Sequence, residues 1–185
     1  MSLDQSRRRF LQAGLALPAA GLVSSTGLDP FVQQSPEPTY RTLGKTGLKV
    51  SGVGYGIGFV PIPEVVSRAL DMGVNYFDTS RDYGDSEKIF AGVIKGRKRE
   101  KFVIATKSPS RTKDAIIKDL ETSLKVLGTD YIDIWHLHGR DNPAQIPDEA
   151  IDGLLECKKS GKTRFIGFSC HDPNNMADFV VKTGK

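Results

Sequence analysis

From residue 40 onward, apolar positions fall into two alternating rhythms. Short runs rich in aromatic and branched residues, at 75–78, 102–105, 131–137 and 165–168, read as strands. A glycine-rich run at 50–56 reads as one more strand ahead of them. Between these lie segments with apolar residues three and four apart. They predict helices over 64–72, 86–94, 113–127 and 148–159, and a further one over 174–181. The clearest is 113–127, where Ile116, Ile117, Leu120, Leu124 and Leu127 share a face and Gly128 is placed to end the helix. Gly161 stands in the same position after 148–159.

The outcome is an α/β chain of five strand–helix units. Strands apolar on both faces, alternating with amphipathic helices, imply a parallel sheet covered by helices. Two architectures satisfy that: a doubly wound open sheet, and an incomplete (β/α)8 barrel with about five of eight units present. A doubly wound sheet favours a glycine-rich phosphate turn leading directly into a helix. The run Gly52-Val53-Gly54-Tyr55-Gly56 lacks the GxGxxG spacing, and Pro61 and Pro63 follow it.

Residues 1–39 have a different texture. Ser6-Arg7-Arg8-Arg9-Phe10-Leu11 is followed by a mildly apolar stretch over 11–23 and small residues at 24–26. That stretch is shorter than the roughly 20 residues of a spanning helix. A charged start, a short apolar middle and small residues describe an export signal, and the arginine pair resembles the twin-arginine type. The expectation is a signal over 1–28 and a proline-rich linker over 29–39, with the export machinery as a partner and a periplasmic or otherwise exported location. Without the signal the chain would be cytoplasmic.

Composition narrows the picture further. Of 185 residues, 38% are hydrophobic and 26% charged, which suits a globular chain with a core. The net charge is +4, of which Arg7, Arg8 and Arg9 set against Asp4 supply half. No basic stripe with interleaved aromatics appears, so nothing points to nucleic acid. Cys157 and Cys170 are too few for a disulfide framework and form no CxxC pair, so spacing indicates no metal site.

Polar residues gather where the strands end. Asp78 closes the second strand, Lys107 follows the third, His138 ends the fourth and Ser169 the fifth. Tyr83 lies in the loop past Asp78. In a parallel barrel these ends share one face, where active sites are built. The set suits proton transfer beside a carbonyl. A tyrosine is a weak acid, with a reference pKa of about 10. Lys107 would lower it, Asp78 would hold the lysine, and His138 would donate to a carbonyl oxygen. No side chain supplies a hydride, so a nicotinamide is implied. Singly, each residue also has a structural reading: Asp78 as a turn stabiliser, Tyr83 as a surface aromatic, Lys107 as a solvated lysine, His138 as a core histidine. Their joint placement favours the chemical one. His136 lies two residues before His138 and shares its face. It reads as a deeper packing residue, and a His136–His138 metal pair would need His171 as a third ligand.

The segment from residue 41 to the end resembles the aldo-keto reductase family. Residues 41–51 look like its opening hairpin. The run Gly73-Val74-Asn75-Tyr76-Phe77-Asp78-Thr79-Ser80-Arg81-Asp82-Tyr83-Gly84-Asp85-Ser86-Glu87 looks like its most specific signature. Ile104-Ala105-Thr106-Lys107 matches the lysine strand and 131–138 the histidine strand. The resemblance implies a (β/α)8 barrel and NADPH- or NADH-dependent reduction of an aldehyde or ketone. Asp78, Tyr83, Lys107 and His138 would form the catalytic tetrad, with Tyr83 as proton donor. It places Gly56, Ile57, Asp78, Ser169 and Cys170 against the cofactor. Two positions depart from the family pattern. Cys170 stands where an asparagine commonly joins the serine in holding the nicotinamide amide, and Ile57 stands where many relatives carry Thr or Gly. The cysteine resembles exported or iron–sulfur-associated relatives, whose cluster would lie in a C-terminal segment beyond this chain. With five units of eight, the expectation is that a further segment or partner completes the barrel. A catalytically inactive half-barrel is the alternative.

Overall fold

The computed structural model describes residues 38–183. The expected export signal, and the linker as far as residue 37, lie outside the described residues. An antiparallel hairpin comes first. Strand β1 (Tyr40–Thr42) pairs with β2 (Lys49–Ser51), Tyr40 opposite Ser51, through a 3-10 turn at Gly44–Thr46. Gly47 ends the turn at φ +74°, in the left-handed region that side chains avoid.

Five strand–helix units follow: β3 (Tyr55–Gly56) with α1 (Pro63–Asp71), β4 (Tyr76–Asp78) with α2 (Ser86–Ile94), β5 (Val103–Ser108) with α3 (Lys113–Leu127), β6 (Ile132–Leu137) with α4 (Asp148–Lys159), and β7 (Thr163–Phe168) with α5 (Pro173–Thr183). The five strands form one parallel sheet in the order β3-β4-β5-β6-β7. Each strand lies beside its predecessor, so the order never reverses. A doubly wound sheet turns back at a switch point, whereas a barrel wall advances strand by strand. The topology decides between the two architectures: this is part of a (β/α)8 wall.

Two elements differ from their sequence expectations. The single strand expected over 50–56 divides into β2 and β3. Asn75 forces the break, because its Oδ1 accepts the Ser51 N–H at 2.6 Å while its own N–H is bound by Ser51 Oγ at 3.1 Å. The chain then passes so close to Tyr76 that a Cβ on Gly54 would lie 2.8 Å from the ring. Strand β5 runs on to Ser108, so Lys107 belongs to the strand and not to the loop after it.

Alternation along the strands divides the core in two. Phe77, Ile104, Trp135 and Leu137 leave one face of the sheet and meet Val66, Phe90, Ile116, Leu120, Ala150 and Leu154 from the helices. On the opposite face Val103, Ala105 and Ile134 pack with Tyr76 and Phe165 under Leu48 and Val50 of the hairpin. The hairpin therefore covers the early residues of the strands on the inner face. The later ones, carrying the polar side chains, stay open.

Candidate active site

The ends of β4 to β7 bring the expected residues together. Asp78 is the last residue of β4, Lys107 lies in β5, and His138 and Ser169 directly follow β6 and β7. Register places Lys107 beside His136. Lys107 Nζ donates to Asp78 Oδ1 at 2.5 Å and to the Thr79 carbonyl at 2.7 Å. The lysine side chain is only 6% exposed, and a buried ammonium needs such partners.

The loop after β4 carries Tyr83. It continues the ladder along β5, with Thr79 N–H donated to Ala105 O at 2.9 Å and Arg81 N–H to Lys107 O at 3.0 Å. Arg81 also pairs with Glu87 at 2.6 Å. So held, the Tyr83 hydroxyl stands 3.3 Å from His138 Nε2, with the two rings edge to face at 5.2 Å between centroids. Lys107 Nζ lies 5.4 Å from the Tyr83 ring centroid. The four tetrad residues thus form one contiguous group.

Sequence reasoning passed over Asp82. Its carboxylate receives His138 Nδ1 at 2.8 Å to Oδ1 and 3.0 Å to Oδ2, and Ser80 Oγ donates to the same Oδ1. Burial works against the Asp82 charge, yet the hydrogen bonds from Ser80 and His138 and the His138 charge hold the carboxyl below its usual range. An ionised carboxylate only accepts, so His138 carries its proton on Nδ1. In the neutral ring Nε2 is then an acceptor, and Tyr83 O–H donates to it. The expected donation from His138 to a carbonyl oxygen therefore requires the imidazolium form.

The phenol also departs from expectation. Burial, then the charges of Asp78 and Asp82, push Tyr83 up from its ordinary value. Lys107 does not reverse this, since Asp78 and Thr79 already engage its ammonium. Deeper in the site, burial pushes the His136 imidazole down to about 4, with Lys107 and His138 adding to the effect against Asp78. His136 Nδ1 is buried without a hydrogen-bond partner.

The residues expected to meet a cofactor divide. A Cβ on Gly56 would meet nothing within 4 Å, whereas one on Gly167 would lie 3.0 Å from the His136 ring. Ser169 Oγ accepts Gly139 N–H at 3.0 Å, which leaves its own O–H available as a donor. Ile57 does not join this group. It is fully buried, its side chain sits in the layer between sheet and helices, and only its backbone N–H reaches the site strand, at Asp78 O. Cys170 likewise packs against that outer layer. The reason is alternation: Gly56 and Ile57, like Ser169 and Cys170, are neighbours and point to opposite faces. The inner face thus keeps Gly56 and the Ser169 hydroxyl, whose donor is free for a planar amide-bearing ring such as a nicotinamide.

Both cysteines are free. Among the described residues, no group of three His, Cys, Asp or Glu is placed to hold a metal ion. His171 turns to Asp141, which takes its N–H at 2.5 Å, and not to His136 and His138.

Comparison with known proteins places this geometry in context. The model of the Aldo/keto reductase family matches residues 62–185. L-galactose dehydrogenase of Arabidopsis thaliana is 38% identical over 152 residues, 70% of this chain and 47% of that protein. The 6-dehydroglucose reductase of Novosphingobium aromaticivorans is 31% identical over 165 residues, 76% of this chain and 54% of its own length. The holo form of aldo-keto reductase AKR11C1 from Bacillus halodurans superposes with a TM-score of 0.68 at 30% identity, covering 78% of this chain and 54% of that one. The chain spans about half the length of the curated relatives it matches. With the signature residues gathered at the strand ends of a parallel barrel wall, the chain belongs to the aldo-keto reductase family.

Proposed function

We propose that this site serves an oxidoreductase that interconverts a small carbonyl compound and its alcohol, with Tyr83 moving the proton. The observation that carries the reading is the Tyr83 hydroxyl held 3.3 Å from His138 Nε2, beside the Lys107–Asp78 pair, on the open inner face. A reduced nicotinamide, NADPH or NADH, would supply the hydride when bound, and Ser169 and Gly56 are among the residues that would hold it. Tyr83 keeps its proton at neutral pH as an ordinary phenol does, burial and the two carboxylates push it further the same way, and a proton donor must begin protonated. Asp78 fixes the Lys107 ammonium 5.4 Å from the Tyr83 ring centroid, where a positive charge favours the phenolate left after donation. The names of the relatives, a dehydrogenase and a reductase, support the same class of reaction.

The test is a titration with NADPH and NADH, followed by turnover of a reactive aldehyde. The expected result is quenching of protein fluorescence on binding, and loss of turnover by a factor of about 100 or more in Tyr83→Phe with binding retained. Undiminished turnover in Tyr83→Phe would remove Tyr83 from the role of donor.

A further inference from the structure

The reading of Tyr83 as the proton-transfer group leaves a question that Lys107 does not answer: how the phenolate regains its proton. The Lys107 ammonium is taken up by Asp78 and the Thr79 carbonyl. Among the described residues, the hydrogen bond of the Tyr83 hydroxyl runs to His138 Nε2. Behind that ring stands Asp82, bound to Nδ1 through both carboxylate oxygens at 2.8 and 3.0 Å, with Ser80 Oγ also 3.2 Å from Nδ1. Tyr83, His138 and Asp82 are therefore one hydrogen-bonded row. Its outer end is open, the Asp82 side chain being 40% exposed against 15% for His138.

We propose that Asp82 is a positioning residue: by holding the His138 proton on Nδ1 it leaves Nε2 as the nitrogen that exchanges a proton with Tyr83. This rests on the reading of Tyr83 given above. In reduction, the Tyr83 O–H bond breaks as an O–H bond forms on the carbonyl oxygen. The phenolate then takes the Nε2 proton of His138 in its imidazolium form, and water returns a proton to Nε2. The carboxylate of Asp82 keeps the Nδ1–H throughout and gives up nothing. In alcohol oxidation the same steps run in reverse: the alcohol proton passes to Tyr83 and the tyrosine proton to Nε2. The arrangement follows the logic by which a carboxylate behind a histidine sets which nitrogen acts as base. Without the carboxylate, Nε2–H and Nδ1–H forms compete, and only the second leaves a lone pair facing the tyrosine.

The charged and titratable groups facing this row are few. Asp82, Ser80 and Tyr83 come from the loop after β4, Lys107 and Asp78 from β5 and β4, His136 from β6, and Arg140 from the loop after β6. Arg140 is committed elsewhere, with Nη2 donating to Pro109 O at 3.0 Å and Ser110 O at 2.5 Å, so Asp82 is left to His138 and Ser80.

The test reads the tautomer directly. Nitrogen-15 spectra of the three histidines, assigned by single His→Gln replacements, are compared in the protein and in Asp82→Ala. His138 is expected with its proton on Nδ1 in the protein and with a mixture of forms in Asp82→Ala. Steady-state rates should show kcat lowered by about 10- to 100-fold with KM and NADPH affinity changed less than about twofold. Asp82→Glu should recover part of the loss. A neutral His138 ring protonated on Nε2 and not on Nδ1, or a tautomer unmoved by Asp82→Ala in a variant whose circular dichroism shows it folded, would overturn the proposal. A protein that neither binds the nicotinamide nor turns over would overturn the reductase reading, while the tautomer measurement would still decide the assignment of Asp82.

Discussion

Individual side chains here are placed by pairing as much as by apolarity. Lys107 is buried with a carboxylate and a carbonyl meeting its ammonium. His136 takes the other course and stays neutral. Its unfolded imidazole binds a proton near 6.5, the folded one only near 4. Between those values the unfolded chain holds the extra proton, so this contribution to stability is full above about 6.5 and falls as pH drops toward 4. The total loss is on the order of 3 kcal/mol. Urea unfolding across that window should show the decline, and His136→Phe should flatten it. An equal slope in the variant would assign the acid sensitivity to other groups.

At the level of elements, the site loop is tied to the helices through one buried carboxylate. Glu87 on α2 is 2% exposed. Its oxygens accept from Arg81 at 2.6 Å, from Thr106 Oγ1 on β5 at 2.7 Å and from Ser123 Oγ on α3 at 2.8 Å. A loop, two helices and a strand thus share one anion. Removing it strands two hydroxyls and a partly buried guanidinium, so Glu87→Ala should cost about 2–4 kcal/mol in chemical denaturation. Because Arg81 lies two residues before Tyr83, the same variant should also lower turnover. A loss under about 1 kcal/mol would mean that water replaces the carboxylate at little cost.

For the molecule as a whole, the consequential feature is the pair of sheet edges. Within the described residues, β3 and β7 each pair along one edge. The inner face is covered by the hairpin only over its early residues. Unpaired backbone on a strand edge is a template for another chain. We therefore expect these 185 residues, purified alone, to self-associate at micromolar concentration. Light scattering should give a mass well above the 20.2 kDa of one chain. A strictly monomeric profile would show that the edges are protected.

Much was legible before any coordinates. Helix α3 was readable almost residue for residue, because its apolar stripe is long and Gly128 takes the left-handed conformation at its end. The tetrad was legible because strand ends punctuate the sequence and the signature around Asp78 and Tyr83 is dense. Even the outward turn of Ile57 and Cys170 was implicit in period-two alternation, once their neighbours Gly56 and Ser169 were assigned to the inner face. The sequence by itself thus determined the kinds of element, their order and the residues that close the strands, since each of these depends on contacts within a few positions. Tertiary structure alone decided the rest. Strand order selected a barrel wall over a doubly wound sheet. The direction of the Tyr83 shift came from burial and from two carboxylates set against a lysine already engaged. The partnership of Asp82 with His138 spans 56 positions, and no local pattern reports on groups brought together across that distance.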